Sequence, residues 1–239
     1  MSTEQKKDLN QYYLDTYTKE ASVYDQRRWT SKGGSKAKSL RNAYFFDILR
    51  KYNLIQPEKK IIDVASGTGR VALELVTFGY KKVVACDLTN AMLDVSRSKL
   101  PAQYKDILEY HVADMKKLPF SDASFDGATL GAFLYLIPLE EYPAYTKDIH
   151  RVLQKDGILV CEVMNQLHFF NPFKAVMKFW HRHVRGKKIK SHAYPWELKK
   201  AFAPFEVVDI IGTDFPAVMT IFGDGFLRFL SRSPLTKYF

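Results

Sequence analysis

The stretch from Ile61 to Arg70, IIDVASGTGR, constrains the fold more than any other part of the chain. Its apolar start, interrupted by Asp63, predicts a buried strand. From Arg70 onward the spacing of apolar residues is helical. Between them, small residues predict a tight turn that lets the backbone approach a ligand closely: Ala65, Ser66, Gly67, Thr68 and Gly69. A strand, a glycine-rich turn and a helix open a nucleotide-binding βα unit, although many α/β folds place small residues there.

The rest of the chain alternates between strand-like and helical segments. Strands are predicted at 60–64, 83–87, 107–112, 158–163 and 206–211, with another passing into a turn over 125–137. Helices are predicted at 1–30, 41–52, 70–78, 89–100 and 141–153. This order predicts an α/β fold, a doubly wound and mostly parallel sheet with helices on both faces. The 239 residues suit a single domain, with 1–40 as an N-terminal cap segment and 165–200 as an insertion.

The net charge of +10 is concentrated in two segments that contain no acidic residue. One lies between Asp25 and Asp47, and the other between Glu162 and Glu197. Such runs are either solvated surfaces or a binding site for an anionic partner. Within 169–185, an apolar helical face with aromatic residues lies beside a basic one. This pattern is typical of a helix at an anionic membrane surface, or of a lid packed on the domain.

The sequence predicts a cytoplasmic protein, with peripheral contact at a membrane surface as an extension of that prediction. No apolar run approaches the roughly 20 residues that span a bilayer. The first ten residues are polar, unlike a secretory signal. Cys86 and Cys161 each lie in an apolar run, which favours reduced, buried thiols over a disulfide.

Carboxylates end two of the predicted strands. Asp87 ends the second strand, 24 residues after Asp63, where it can accept both hydroxyls of a ribose. Asp114 closes the third strand and can accept from the exocyclic amine of an adenine. Met92 and Met115 either offer apolar faces to that ring or belong to the core. Because the turn lacks the third glycine of a dinucleotide site and the chain has no P-loop, a nucleoside without a phosphate chain is predicted.

At this point the sequence resembles the class I S-adenosylmethionine-dependent methyltransferases, in the small-molecule branch that includes the quinone-biosynthesis enzymes. The resemblance covers roughly residues 40–165 and rests on four motifs in the family's order: IIDVASGTGR, VVACDLTNAML, HVADMKKLPFSDASFD and DIHRVLQKDGILVCEV. It implies S-adenosyl-L-methionine as the methyl donor and S-adenosyl-L-homocysteine as the product.

The resemblance also implies roles for individual residues. Asp63 and the turn at 65–69 would hold the methionine portion of the donor, and Asp87 the ribose. Asp114 and Met115 would face the adenine, while Leu130 and Gly131 would pass beneath the donor. The remaining implied donor contacts are Leu88 and Met92 beside the nucleoside, and Tyr17, Tyr24 and Arg27 on an N-terminal helix that closes over it.

Two departures from the family pattern stand out. The family usually has glycine where this chain has Ala65, whose methyl group could crowd the carboxylate end of the donor. The family fold also ends with an antiparallel strand beside the sixth strand. Either residues 217–222 replace that strand, or the sheet is incomplete, or the chain is shortened.

The sequence identifies the acceptor less closely. The predicted acceptor is a small molecule that is lipophilic or anionic. The sequence identifies no single residue as the catalytic base. Tyr135, Asn165 and His168 follow predicted strands and are the candidate acceptor contacts. The histidines at 168, 181, 183 and 192 repeat no ligand spacing, so no metal is predicted.

The sequence is also compatible with two other functions. The basic segments could bind phosphates in an RNA (tRNA) methyltransferase, although nucleic acid is the less favoured partner because no RNA-binding module is visible. Ala65 and the missing final strand would also fit a non-catalytic scaffold that only binds the cofactor.

Overall fold

A computed structural model describes residues 3–29, 42–43, 45–163 and 195–210. Within these ranges, five strands form the sheet: β1 (Lys60–Val64), β2 (Lys82–Asp87), β3 (Leu108–Val112), β4 (Phe125–Leu130) and β5 (Leu153–Cys161). The helices are α1 (Thr3–Trp29), α2 (Ala72–Thr77), α3 (Asn90–Lys99), α4 (Tyr142–Val152) and α5 (Pro195–Ala201). Residues 45–51 are also helical. Short 3₁₀ turns lie at Ala102–Tyr104, Leu134–Leu136 and Leu139–Glu141.

The sheet is parallel throughout, with the strand order β3-β2-β1-β4-β5. The chain first builds outward from β1 through β2 to β3 and then returns to place β4 on the other side of β1. Right-handed crossovers in the two directions put their helices on opposite faces. The predicted doubly wound parallel sheet is therefore confirmed, and its topological switch point lies between β1 and β4.

The core forms around β1 because this strand is covered on both faces. Ile61, Ile62 and Val64 are fully buried, and residues of 45–49 and α2 pack against the same cluster. Burying an aliphatic side chain of this size contributes about 2 kcal/mol relative to leaving it exposed. A strand that is covered on both faces has a near-continuous apolar sequence. This apolar run is why β1 could be predicted from the sequence.

Two predicted boundaries shift for identifiable reasons. The helix expected at 70–78 begins at Ala72, because residues 67–71 form successive turns before the helix becomes regular. The strand expected at 158–163 begins earlier, as β5 at Leu153, and its register against β4 is irregular between Phe125 and Gly127. Asp156 adopts a left-handed φ of 65° in that irregular stretch.

The prediction of a sixth strand at 206–211 is wrong for residues 206–210, which form no strand. Val208 and Ile210 are exposed there, and no described strand pairs with them. An apolar run alone predicts a strand only if a neighbouring strand supplies its hydrogen bonds. Residue 211 and the alternative strand at 217–222 lie outside the described residues.

A single arginine ties α4 to the loop between β3 and β4. Both carboxylate oxygens of Asp148 accept from Arg151, with N–O distances of 2.6 and 3.0 Å. The guanidinium also donates to the backbone carbonyls of Leu118 and Phe120 and to Asp122. The planar fork of arginine satisfies all these acceptors at once, which lysine cannot do. Arg151 thus helps to join two of the four motifs, HVADMKKLPFSDASFD and DIHRVLQKDGILVCEV, together with backbone hydrogen bonds from Ala123 and Ser124.

The chain divides into two compact units. The first contains the residues up to Gly131 together with Tyr145–Cys161, and thus the whole sheet. The second contains Ala132–Ala144 and the described residues after Cys161. In the second unit the rings of Tyr142 and Phe202 meet edge to face, with centroids 5.6 Å apart.

None of the helices in the described ranges is both long enough and apolar enough to cross a membrane.

Candidate functional site

The turn after β1 lies at the switch point of the sheet and is built from left-handed residues. Ala65, Gly67 and Gly69 have φ values of 51°, 56° and 80°. Ser66 N–H donates to the carbonyl of Cys86 at 2.9 Å, which fastens the turn to β2. Gly69 N–H donates back to the carbonyl of Ser66 at 3.0 Å. Three left-handed residues in five explain why the sequence is rich in glycine here.

The two glycines serve different purposes. A Cβ built on Gly69 would lie 2.0 Å from the hydroxyl oxygen of Ser96 on α3, so Gly69 permits close packing of the turn on that helix. A Cβ on Gly67 would meet no atom within 4 Å. Gly67 therefore borders open space and leaves the backbone accessible to a ligand.

Ala65 is the one residue of the turn that the conformation does not suit. Its φ of 51° lies in the left-handed region, where a Cβ approaches the following carbonyl and costs about 1–2 kcal/mol. The departure identified in the sequence is therefore a backbone strain as well as an added methyl group. Strain of this kind persists only where surrounding contacts hold the backbone in place.

The carboxylate of Asp63 joins three elements beneath the turn. It is 1% exposed, accepts from the hydroxyl of Thr129 on β4 at 2.6 Å, and accepts from Ala72 N–H at the start of α2 at 3.1 Å. Burial raises the pKa of Asp63 to about 6, while the two hydrogen bonds and the charge of Arg70 oppose the rise. Both oxygens of Asp63 are thus engaged inside the protein, which suits a residue that positions the turn.

Asp87 lies at the carboxyl end of β2 and reaches the turn directly. One carboxylate oxygen accepts from Gly67 N–H at 2.8 Å, and the other accepts from Thr89 N–H at 2.9 Å. Burial raises the pKa of Asp87, and these backbone hydrogen bonds oppose the rise. Asp87 and the neighbouring Leu88 remain partly exposed, so this carboxylate is placed to meet a ligand at the edge of the sheet.

The predicted adenine contacts lie along the same edge. Asp114 follows β3, is partly exposed, and accepts from Lys116 N–H at 2.9 Å. Ala113 N–H donates to the Asp87 carbonyl at 2.9 Å, which sets the loop beside β2. Met92 and Met115 are both buried, at 2% and 6% exposure. Their packing fits the core, and their contact with a ring stays a prediction.

β4 ends at the buried Leu130, and Gly131 follows beside the guanidinium of Arg70. A Cβ at Gly131 would lie 2.6 Å from a terminal nitrogen of Arg70, so a side chain there would displace the guanidinium. Arg70 in turn donates to the side-chain oxygen of Asn42 at 2.5 Å. The last residue of the turn motif thus fills the space between the turn and the end of β4.

The N-terminal helix α1 packs on α3 and contacts the turn. Thr68 donates its hydroxyl to Asp25 at 2.6 Å, and Lys99 on α3 pairs with the same carboxylate at 2.7 Å. The rings of Tyr17 and Tyr24 meet edge to face, with centroids 6.0 Å apart. Arg27 is exposed and pairs with Glu20 on α1 itself, at 3.1 Å.

Of the three predicted acceptor residues, only Tyr135 lies within the described ranges. Tyr135 lies in the 3₁₀ turn Leu134–Leu136 of the second unit and is buried. Asn165 and His168 lie outside the described residues, as does the amphipathic segment at 169–185. Across the described ranges, no cluster of three or more His, Cys, Asp or Glu side chains could hold a metal ion.

Sequence reasoning missed several residues that hold the turn in place. Thr129 and Arg70 carried a signal, as a polar residue within an apolar strand and as the last residue of the turn motif. Asp25 and Lys99 carried none, because only the packing of α1 on α3 brings them to Thr68.

Residues 62–161 match a family model described as a methyltransferase domain. Among curated relatives, a demethylmenaquinone methyltransferase from Symbiobacterium thermophilum is 30% identical over 174 residues, which are 71% of this chain and 63% of that protein. Its counterpart from Geobacillus stearothermophilus is 32% identical over 140 residues, 58% of each chain. The chain thus spans about three fifths of the length of these relatives.

Solved structures share the fold. A magnesium protoporphyrin IX methyltransferase from Synechocystis PCC 6803 with bound S-adenosylhomocysteine aligns with a TM-score of 0.62 at 13% identity, over 80% of this chain and 86% of that one. A SAM-dependent methyltransferase from Methanosarcina mazei aligns with a TM-score of 0.54 at 23% identity, over 64% and 81%. At these identities the likeness supports the fold alone.

The left-handed backbone at residue 65 leads to a stability prediction. Ala65→Gly should raise the free energy of unfolding by about 0.5–1 kcal/mol, because relief of the strain exceeds the added entropy of the unfolded chain. Ala144→Gly, on the exposed side of α4, is the control and should lower it by about 0.5–1 kcal/mol. Urea denaturation measures both, and a loss in both variants would contradict the strain at Ala65.

The raised pKa of Asp63 leads to a prediction about pH. The folded state holds this proton up to about pH 6, whereas the unfolded chain releases it near 3.8. Stability from this group is therefore present below the unfolded pKa and is lost as the pH rises through 6. The free energy of unfolding of Asp63→Asn, relative to wild type, should rise by about 2 kcal/mol between pH ~4.5 and ~7.5.

Asp148→Asn provides the control for that measurement. Hydrogen bonds from Arg151 lower the pKa of Asp148, so the stability it contributes is already complete above its unfolded pKa. Its difference from wild type should stay level over the same pH range. A level difference for Asp63→Asn as well would show that Asp63 titrates alike in the folded and unfolded chains.

Proposed function

We propose that the protein is a class I S-adenosylmethionine-dependent methyltransferase that methylates a small lipophilic acceptor, because residues 62–161 match the methyltransferase domain model and the curated relatives are demethylmenaquinone methyltransferases. The observation that carries the proposal is the arrangement at the carboxyl edge of the sheet. There the left-handed turn and the partly exposed Asp87 border open space at Gly67. S-adenosylmethionine is the donor and S-adenosylhomocysteine the product.

Two features of the turn fit the donor. The hydroxyl oxygen of Ser66 is buried and has no hydrogen-bond partner among the described residues. Leaving a buried polar group unpaired costs about 1–3 kcal/mol, which a polar group of a ligand would recover. Gly67 keeps the adjoining space clear of side chains. A polar, zwitterionic group such as the methionine end of the donor suits a turn of this kind.

The remaining assignments extend from this point along the edge. Asp87 accepts the ribose hydroxyls with lone pairs that Gly67 and Thr89 leave available, and Leu88 lies beside it. Asp114 accepts from the adenine amine, with Met92 and Met115 on the faces of the ring. Asp63 acts through the turn that it supports. The other donor contacts are Leu130 and Gly131 below, and Tyr17, Tyr24 and Arg27 on α1 above.

Methyl transfer depends more on alignment of the donor with the acceptor than on acid–base catalysis. The bound donor supplies an electrophilic methyl group on a sulfonium sulfur, and transfer is an in-line displacement. Holding the two reactants in line supplies much of the rate enhancement, so residues that fix the turn and Gly131 matter most. A general base is needed only for an acceptor that must lose a proton. Tyr135, Asn165 and His168 are the candidates to contact the acceptor.

A quinol-like acceptor is supported by the demethylmenaquinone methyltransferases among the relatives. We propose one domain over residues 1–239, in which the segments 1–40 and 165–200 flank the acceptor site. An RNA acceptor is less favoured, because these relatives carry names for small-molecule activities. A non-catalytic scaffold is also less favoured, since the residues that support the turn are all in place.

A lipophilic acceptor resides in a membrane, and the second unit offers a surface that suits one. Trp196 on α5 is 66% exposed, and Lys199 and Lys200 lie three and four residues further along the same helical face. An exposed tryptophan beside lysines is favourable at the interface of an anionic bilayer. The acid-free segment that precedes α5 adds seven bases. We propose that the protein contacts the membrane peripherally through this surface.

The donor assignment is tested by pairing a change in the protein with a change in the ligand. Wild type should bind S-adenosylhomocysteine at least about tenfold more tightly than its 2′-deoxyribose analogue, since a hydrogen bond to a carboxylate contributes about 1.5–3 kcal/mol. Asp87→Asn should bind both ligands weakly and nearly equally. Asp106→Asn, an exposed change before β3, should behave as wild type. Titration calorimetry measures all six affinities.

The outcomes separate the parts of that assignment. Failure of wild type to bind S-adenosylhomocysteine would overturn the proposed function. Equal affinity of wild type for the two ligands would leave donor binding intact but remove the contact between Asp87 and the ribose.

The acceptor and the membrane surface are tested together by methyl transfer from labelled donor. A demethylated quinol in anionic vesicles should be methylated several-fold more slowly by Lys199→Glu/Lys200→Glu than by wild type, because each base near such a surface contributes about 1 kcal/mol. A short-chain soluble quinol should show no difference. Lys81→Glu/Lys105→Glu, two exposed changes on the first unit, is the control. Label that appears only in tRNA would favour the RNA alternative.

A further inference from the structure

Three elements of the first unit meet at one carboxylate outside the predicted donor contacts. Asp25, near the end of α1, accepts from the Thr68 hydroxyl at 2.6 Å with one oxygen. Its other oxygen accepts from Lys99 of α3 at 2.7 Å. Lys99 also donates to the backbone carbonyl of Thr68. We call these three residues the Asp25 clamp, since they join α1, the turn and α3.

The clamp holds the turn between its two left-handed glycines. Thr68 lies between the left-handed Gly67 and Gly69, and its side chain and carbonyl are both occupied by the clamp. On the opposite side, Asp87 holds Gly67 N–H. The turn is therefore fixed from the sheet by Asp87 and from α1 by Asp25. A shift of α1 would release the Thr68 hydroxyl without breaking the contacts of Lys99 with the Thr68 carbonyl or of Asp87 with Gly67.

The clamp is also weak enough to open. The side chains of Asp25 and Lys99 are 37% and 36% exposed, and ion pairs with this degree of exposure contribute about 1 kcal/mol or less. One helical turn before Asp25, Ala21 is 4% exposed, so the same face of α1 is the one that packs on the domain. Burial of this face holds α1 against the domain, and the clamp sets how closely the end of α1 approaches the turn.

We infer that Asp25 is a positioning residue that couples closure of α1 to binding of the methyl donor. When α1 is closed, the clamp holds Thr68 and the turn in the geometry that the donor occupies. When the clamp opens, α1 separates from the turn and the donor can enter or leave. The inference rests on the proposed donor site, and it assigns to α1 a role in donor affinity that needs no direct contact between Asp25 and the donor.

The test compares two equivalent changes of exposed helical aspartates. Asp25→Ala removes both Asp25 contacts of the clamp and leaves the bond from Lys99 to the Thr68 carbonyl, whereas Asp94→Ala removes an exposed ion pair with Arg97 and a hydrogen bond from Asn90 on α3. Both raise helix propensity, so a difference between them reports the clamp. Asp25→Ala should weaken binding of S-adenosylhomocysteine about tenfold and raise the KM for the donor equally, within the usual range for coupled sites. The kcat at saturating donor should change less than about twofold, because Asp25 does not touch the donor and a saturating donor fills the site of the variant as it does that of wild type.

Two further measurements distinguish coupling from a general loss of structure. Bound S-adenosylhomocysteine should slow amide hydrogen exchange in α1 of wild type and of Asp94→Ala, and much less in Asp25→Ala. Raising the salt concentration from about 0.05 to about 0.5 M should weaken binding by wild type, since salt screens a half-exposed pair, and should leave Asp25→Ala nearly unaffected.

The result that overturns the inference differs from the one that overturns the function. If Asp25→Ala binds S-adenosylhomocysteine as wild type does, or if α1 is protected equally in both, the clamp does not couple α1 to the donor. If wild type itself fails to bind S-adenosylhomocysteine, the proposed donor site falls, and the inference falls with it.

Discussion

The buried carboxylate of Asp63 is the interaction on which the geometry of the site depends. It receives the hydroxyl of Thr129 from β4 and the first amide of α2, while its own strand, β1, leads into the turn. Asp63 on β1 and Thr129 on β4 are paired residues of two neighbouring strands. They lie at the switch point, where the chain changes the side of β1 on which it adds strands. A charge buried this deeply is tolerated because both oxygens are hydrogen-bonded and Arg70 lies nearby.

This carboxylate also explains how a strained turn persists. Ala65 follows β1 in a left-handed conformation, and a free loop with this sequence would relax out of it. Here the turn is held at several points: by Asp63 beneath it, by Asp87 and the Cys86 carbonyl from β2, and by Thr68 on the side of α1. The donor site is thus a turn whose shape is set by its neighbours more than by its own residues.

The residues proposed to hold the donor and those proposed to contact the acceptor lie in different parts of the chain. The residues proposed to hold the donor belong to the first unit, on a sheet whose strand ends are fixed by pairing. Of the candidate acceptor residues, Tyr135 belongs to the second unit, whereas Asn165 and His168 lie outside the described residues. A site for one ligand on the strand ends, with further contacts supplied by connecting segments, is a common way for one fold to serve different reactions.

The sequence by itself determined the sheet, the turn, and three aspartates: Asp63 within β1, Asp87 at the end of β2 and Asp114 after β3. Each is encoded locally, by a run of apolar residues, by glycine spacing, or by a carboxylate at the end of a strand. It erred at 206–210, where the apolar pattern is right but no described strand supplies the pairing. Local patterns carry no information about which distant segment will be the partner.

Only the tertiary structure decided what those residues do for one another. Asp63 faces Thr129 and α2 because β1 and β4 are neighbours, and Asp25 reaches Thr68 because α1 packs on α3. Such contacts join residues more than 40 positions apart, and hydrogen bonds over that distance depend on packing, which no motif records. The strain at Ala65 likewise became visible only in the backbone conformation, since alanine in a sequence gives no sign of a positive φ.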